Sequence, residues 1–198
     1  EEMERMRGHV KDAMEEGAMG IGSSLIYAPG DYASTEELIE LCKVASNYGG
    51  MYISHMRNED SKVMSALEEL IRISKEADIP AEIYHLKSSR KPNWKKIDDI
   101  IKRVEEVRGQ GLKITADIYT YNASSTGLTG VIPTWVQEGG HKAWIERMKD
   151  PNIRPRLLED IRKELSEQPP EGILMVGFKT SEMSKKYLSK TVAEAAKM

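Results

Sequence analysis

A single cysteine, Cys42, in 198 residues excludes an internal disulfide framework. It fits a reducing compartment, so a cytoplasmic location is expected. Long apolar runs are absent as well: none approaches the roughly 20 residues that a bilayer-spanning helix needs, and no membrane partner is expected. Charge of one sign is not in excess. The 29 Lys and Arg residues are interspersed with 32 Asp and Glu, for a formal net charge of −3. No basic stripe is available to neutralise a row of phosphates, which argues against a nucleic-acid partner. The sequence has no G-x-G-x-x-G after a strand pattern, no G-x-x-x-x-G-K-[ST], no H-E-x-x-H and no paired C-x-x-C. Dinucleotide, P-loop, zincin and zinc-ribbon chemistry therefore have no sequence support.

What is present is an alternation of two periods. Residues 3–17 space apolar or small side chains as a helix does, and Gly17 suits its end. Residues 18–27 (AMGIGSSLIY) read as a buried strand running into turn residues Pro29, Gly30 and Asp31. Ser34 then offers an N-cap, with Glu36 and Glu37 in the first turn of a helix reaching Ser46. The rhythm repeats with strand 51–55 (MYISH), helix 62–77, strand 79–86, helix 96–109 and strand 112–119. The expectation is an α/β fold with a parallel sheet, either open and doubly wound or part of an eight-stranded barrel. After Tyr121 the alternation stops. Residues 142–149 and 152–168 read as helices in a charged segment, 173–176 as one more short strand, and 181–198 as loop and helix. Cys42 falls on the inner side of a helix and reads as a small core residue. Tyr32, Trp94, Trp135 and Trp144 read as packing anchors, and His9 and His141 as surface residues.

Two histidines carry the chemistry. His55 ends one predicted strand and His85 stands near the end of the next, thirty residues on (55 + 30 = 85). Equivalent positions on adjacent parallel strands share one face of the sheet, about 4.8 Å apart, so the two imidazoles can converge on one ion. A satisfied core or loop histidine is the plainer alternative for either one alone. Arg57 and Glu59 follow His55, and Lys87 follows His85. Tyr27 ends the first strand, while Tyr119, Tyr121 and the hydroxyls of Ser124, Ser125 and Thr126 follow the last. Arg57 or Lys87 is suited to hold a substrate carboxylate.

These segments resemble a known family. Residues 17–60, from GAMGIG through MYISHMRNED, with AEIYHLK (81–87) and ADIYTYNASSTGL (116–128), are similar to D-aminoacylases (N-acyl-D-amino-acid deacylases) of the amidohydrolase superfamily. IPTWVQEGG (132–140) and KKYLSKTVAEAA (185–196) extend the likeness over nearly the whole chain. The resemblance implies part of a TIM-like (β/α)8 barrel, roughly strands four to seven, with an inserted lid. It divides the chain into a partial barrel (1–128), a lid near the active-site entrance (129–172) and a return toward the barrel (173–198). It implies Zn²⁺ as cofactor, His55 and His85 as metal ligands, and Tyr27, Arg57, Lys87, Tyr119 and Ser125 as substrate-binding residues. The substrate would be a small N-acyl-D-amino acid, hydrolysed to a carboxylate and a D-amino acid.

The sequence departs from the family pattern in lacking the strand-one His-x-His pair, the metal-bridging cysteine and the catalytic aspartate of strand eight. Cys42 stands in for none of them, and His85-Leu86 replaces the His-His pair of many relatives. The chain is accordingly expected to be a central fragment, inactive by itself, with exposed sheet edges that favour self-association. The alternatives are a dihydroorotase- or hydantoinase-like cyclic amide hydrolase with the same histidines, and a non-catalytic scaffold module.

Overall fold

Helical and strand periods alternate in space as they do in sequence. The computed structural model describes Glu1–Met198 as two units, Glu1–Ser125 and Thr126–Met198. The first runs α1 (Glu2–Glu15), β1 (Gly20–Ser24), α2 (Thr35–Asn47), β2 (Met51–His55), α3 (Val63–Glu76), β3 (Ala81–Ile83), α4 (Lys96–Gly109) and β4 (Ile114–Ala116). Its strands form one parallel sheet in the order β1-β2-β3-β4. In register, Ser24 lies beside His55, and Ile83 beside both Ser54 and Ala116. This order is common to a barrel sector and an open parallel sheet.

Local chemistry accounts for the element ends. The Ser34 hydroxyl accepts the Glu37 amide at 3.1 Å, which caps α2 as the sequence predicts. The Asn58 side chain accepts the amides of Asp60 (3.0 Å) and Lys62 (2.8 Å) and turns the chain into α3. Along β2, Tyr52 and Ser54 are buried while Met51, Ile53 and His55 are half-buried, the two-residue alternation of a strand. Tyr52 packs into a core with Cys42 and Ala45 of α2, Leu67 and Leu70 of α3, and Ile100 of α4. Its buried hydroxyl is satisfied by Ser23 Oγ at 2.7 Å. Gly20 passes so close to β2 that a Cβ there would lie 1.9 Å from the Met51 carbonyl oxygen.

Three strands are shorter than their sequence patterns. β1 stops at Ser24 instead of Tyr27 because the chain folds back, bringing Gly30 so near that a Cβ would meet the Ser24 carbonyl at 2.3 Å. β3 spans Ala81–Ile83 rather than 79–86. Pro80 lacks an amide to donate, and His85 adopts a left-handed backbone with φ 41° that leaves the sheet. β4 covers Ile114–Ala116 rather than 112–119. His85 and Tyr119 therefore stand on loops just past their strands.

The second unit contains α5 (Thr134–Gln137), α6 (Gly140–Lys149), α7 (Arg154–Glu167), α8 (Ser181–Tyr187) and α9 (Val192–Ala195). Val136 and Leu157 are its buried apolar residues, at 0% and 2% exposure. Trp135 donates to Asp160 at 3.0 Å and lies under the Arg156 guanidinium, 4.2 Å from the ring centre. Thr191 and Glu194 form a capping box on α9. The expected strand at 173–176 is corrected: Leu174 makes only an isolated antiparallel bridge to Thr191 and joins no sheet. Trp94 and Tyr32 are also corrected, being 60% and 49% exposed rather than packing anchors. His9 and His141 are exposed, as expected. No helix is long and apolar enough to cross a membrane.

Cys42 is fully buried, and burial pushes its thiol from 9.0 up to about 12. The folded chain keeps the neutral thiol where the unfolded chain ionises, so unfolding binds fewer protons and stability falls as pH rises from about 9 toward 12. Alkaline urea titrations of Cys42→Ala should show a shallower fall over this window; an identical slope would refute the assignment. The native thiol should also react with an aromatic disulfide reagent at least about a hundredfold more slowly than the urea-unfolded one.

Candidate metal centre

Parallel strands direct their carboxyl ends to one edge of the sheet, and the loops leaving β2 and β3 meet there. His55 is the last residue of β2, and Leu25 ties its backbone to β1 by donating to the His55 carbonyl at 3.0 Å. His85 lies two residues beyond β3. Its amide donates to the Asp117 carboxylate at 2.5 Å, and the Asp117 carbonyl accepts the Leu86 amide at 2.8 Å. The segment after β4 thus holds the left-handed turn. The His55 and His85 rings stand edge to face, with centroids 4.4 Å apart.

Glu59 joins them. One carboxylate oxygen is 3.0 Å from His85 Nδ1, and the other is 3.7 Å from His55 Nε2. One donor atom from each of His55, Glu59 and His85 lies within 4.8 Å of the others, a grouping that can hold a metal ion. From sequence alone Glu59 is a loop charge. Its signal was the four-residue spacing from His55, and only the fold turns its side chain inward. The turn is fixed on both sides, by the Asn58 side chain accepting the Lys62 amide just before α3 and by the Ser89 amide donating to the Glu59 carbonyl at 2.6 Å.

The donor chemistry of the cluster suits a metal ion. His55 Nε2 is buried without a hydrogen-bond partner. Burial holds the His55 imidazole below its ordinary range; the Glu59 carboxylate opposes this, and His85 and Lys87 add to it. A neutral imidazole is the form that binds a metal. Two imidazole nitrogens and a carboxylate suit zinc and similar divalent ions. The Lys87 ammonium lies 2.7 Å from Glu59 Oε1 and 2.7 Å from His85 Nδ1.

The remaining expected residues divide. The Tyr27 ring centre is 5.3 Å from that of His55, and the Tyr119 ring is 6.3 Å from His85 with Lys87 Nζ 5.5 Å from its centroid. Burial raises the Tyr119 phenol and Glu59 raises it further, while a hydrogen bond with Ser124 acts in the opposite direction. Ser125 is exposed, and Ser124 is the hydroxyl that bonds Tyr119. Arg57 differs from its expected role. Its Nε and Nη2 bind Glu69 at 2.9 Å each, Nη1 donates to the Asp31 carbonyl at 2.8 Å, and Nη2 also donates to the Ala33 carbonyl at 2.9 Å. The fork therefore faces a loop and α3 instead of a substrate carboxylate.

The fold and site define a class: an α/β protein with side chains that could hold a metal ion at the carboxyl edge of a parallel sheet. Among known proteins, the chain is similar to D-aminoacylases and related N-acyl-D-amino-acid deacylases. The chain is 38% identical over 128 residues to a D-aminoacylase of Alcaligenes xylosoxydans xylosoxydans, covering 65% of this chain and 26% of that protein. A D-aminoacylase crystal structure described as defining a novel subset of amidohydrolases superposes with TM-score 0.59 at 36% identity, over 61% of this chain and 25% of that one. The N-acyl-D-glutamate deacylase of Bordetella bronchiseptica gives TM-score 0.59 at 32% identity with the same coverage. That structure holds zinc and a phosphonate inhibitor that mimics the tetrahedral intermediate. No family model matches the chain. The chain spans about a quarter of the length of the curated relatives it matches.

Proposed function

We propose that the chain contributes strands four to seven, part of the metal site and part of the substrate pocket to a metal-dependent hydrolase that cleaves N-acyl-D-amino acids. The carrying observation is the His55–Glu59–His85 cluster at the carboxyl edge of the sheet. The similarity to a D-aminoacylase and an N-acyl-D-glutamate deacylase supports the substrate class. His55 and His85, with Glu59, would hold the ion. A bound zinc ion supplies the positive charge that polarises an amide carbonyl.

This chain's own residues do the rest. Lys87 is the cation nearest the ligands and would pair with the substrate carboxylate. Tyr27 and Tyr119 flank the two histidines, exclude water on either side, and present hydroxyls to the acyl amide. Ser125 would meet the substrate from the loop after β4. Residues 129–172 would serve as the lid. The 198 residues span about a quarter of the relatives' length, so alone they should turn over no substrate.

The test uses the complete reading frame that contains this chain, loaded with zinc and offered N-acyl-D-amino acids, their L-enantiomers and cyclic amides. Release of free D-amino acid, abolished by His85→Asn, is the expected result. Preferential ring opening of cyclic amides, or full activity in His85→Asn, would overturn the proposal.

A further inference from the structure

Arg57 sits among four segments that the chain brings together from distant positions. Besides its three hydrogen bonds with Glu69 of α3, it donates to the carbonyls of Asp31 and Ala33 in the loop between β1 and α2. Glu69 in turn accepts the hydroxyl of Thr35, the first residue of α2, at 2.8 Å. The Glu69 side chain is only 12% exposed. Carbonyls that turn inward need donors, and a charged fork that supplies two of them while paired to a buried carboxylate is a strong, directional tie. The loop it grips begins at Tyr27, whose carbonyl accepts the Asp31 amide at 3.0 Å. Tyr27 is the residue whose ring faces His55 at 5.3 Å.

We infer that Arg57 and Glu69 are a positioning pair that fixes the loop of residues 27–33, and through it holds the Tyr27 ring against His55. A pair that served only to staple α3 would not need two loop carbonyls, yet Arg57 directs two bonds to that loop besides its three to Glu69. Arg57 acts here through Tyr27 and touches no substrate. The significance for catalysis rests on the deacylase reading. The contact itself does not, so it is tested without metal or substrate.

The chain is labelled with 3-fluorotyrosine, and its eight tyrosines are read by ¹⁹F NMR, with Tyr27→Phe assigning the Tyr27 line. In Arg57→Met and Glu69→Gln that line should move and broaden while those of Tyr48 and Tyr187 stay in place. Amide exchange at Asp31, Tyr32 and Ala33 should accelerate about ten- to a hundredfold, as expected for lost charge-assisted bonds. Arg57→Lys, which keeps the charge and one donor direction, should recover part of both signals. An unmoved Tyr27 line in folded Arg57→Met overturns the inference, and so does equal movement of all eight lines. If Arg57→Met does not fold by circular dichroism, folded Glu69→Gln decides by the same criterion. Zinc affinity measured separately keeps failure of this inference distinct from failure of the metal centre.

Discussion

Glu59→Gln should weaken zinc binding by at least about a hundredfold, the upper end of what is lost when only an outer partner of a metal ligand is removed. Glu59 is the sole carboxylate in the His55–Glu59–His85 cluster. Glutamine keeps its length and shape while discarding its charge. The loss has two parts: the ion no longer meets a negative oxygen, and the Lys87 ammonium, 2.7 Å from that oxygen, becomes an uncompensated positive charge beside it. Both act in the same direction. Competition against a chromogenic chelator measures the change, with His141→Asn as control because His141 is exposed and lies in the second unit. Equal zinc affinity in Glu59→Gln and the parent would remove Glu59 from the site.

Leu67→Ala should have the largest effect on stability, about 2–5 kcal/mol. Leu67 is fully buried on α3, in a core that also holds Tyr52 of β2, Ile83 of β3 and Ile100 of α4. Truncation there leaves a void that sheet and helices must close from both sides, and packed parallel strands move little. Ile101→Ala on the outer side of α4, where the side chain is 49% exposed, should change stability by less than about 0.5 kcal/mol. Urea midpoints at unchanged slope give the comparison. A Leu67→Ala midpoint as close to the parent as that of Ile101→Ala would mean that the core is elsewhere.

Much of the first unit was legible because its signals are local. Ser34 before two glutamates fixed the start of α2, and MYISH fixed β2 to the residue. The spacing from His55 to His85 anticipated their meeting, since two consecutive strand–helix units return the chain to neighbouring places in a parallel sheet. What sequence could not give were effects of chain reversal. The shortness of β3 depends on the Asp117 carboxylate, 32 residues from the amide it accepts, holding a left-handed turn. The inward side of Glu59 depends on caps and loop bonds whose partners lie up to thirty residues away (Ser89). The sequence suits Arg57 to a substrate carboxylate because nothing local shows that Glu69, twelve residues later, takes its fork. In the second unit, residues 173–176 have a strand's composition but no parallel neighbour, so composition alone named an element that pairing did not complete.

The φ of 41° at His85 means that this position carries two independent demands, one on the ring and one on the main chain. Asparagine tolerates a left-handed conformation as well as most residues other than glycine, whereas a β-branched residue there is strained. A valine variant would therefore mix a lost ligand with a distorted turn, and its phenotype would have no single cause. Asparagine removes the imidazole and leaves the turn unburdened, which makes it the substitution that isolates the chemistry of this one side chain.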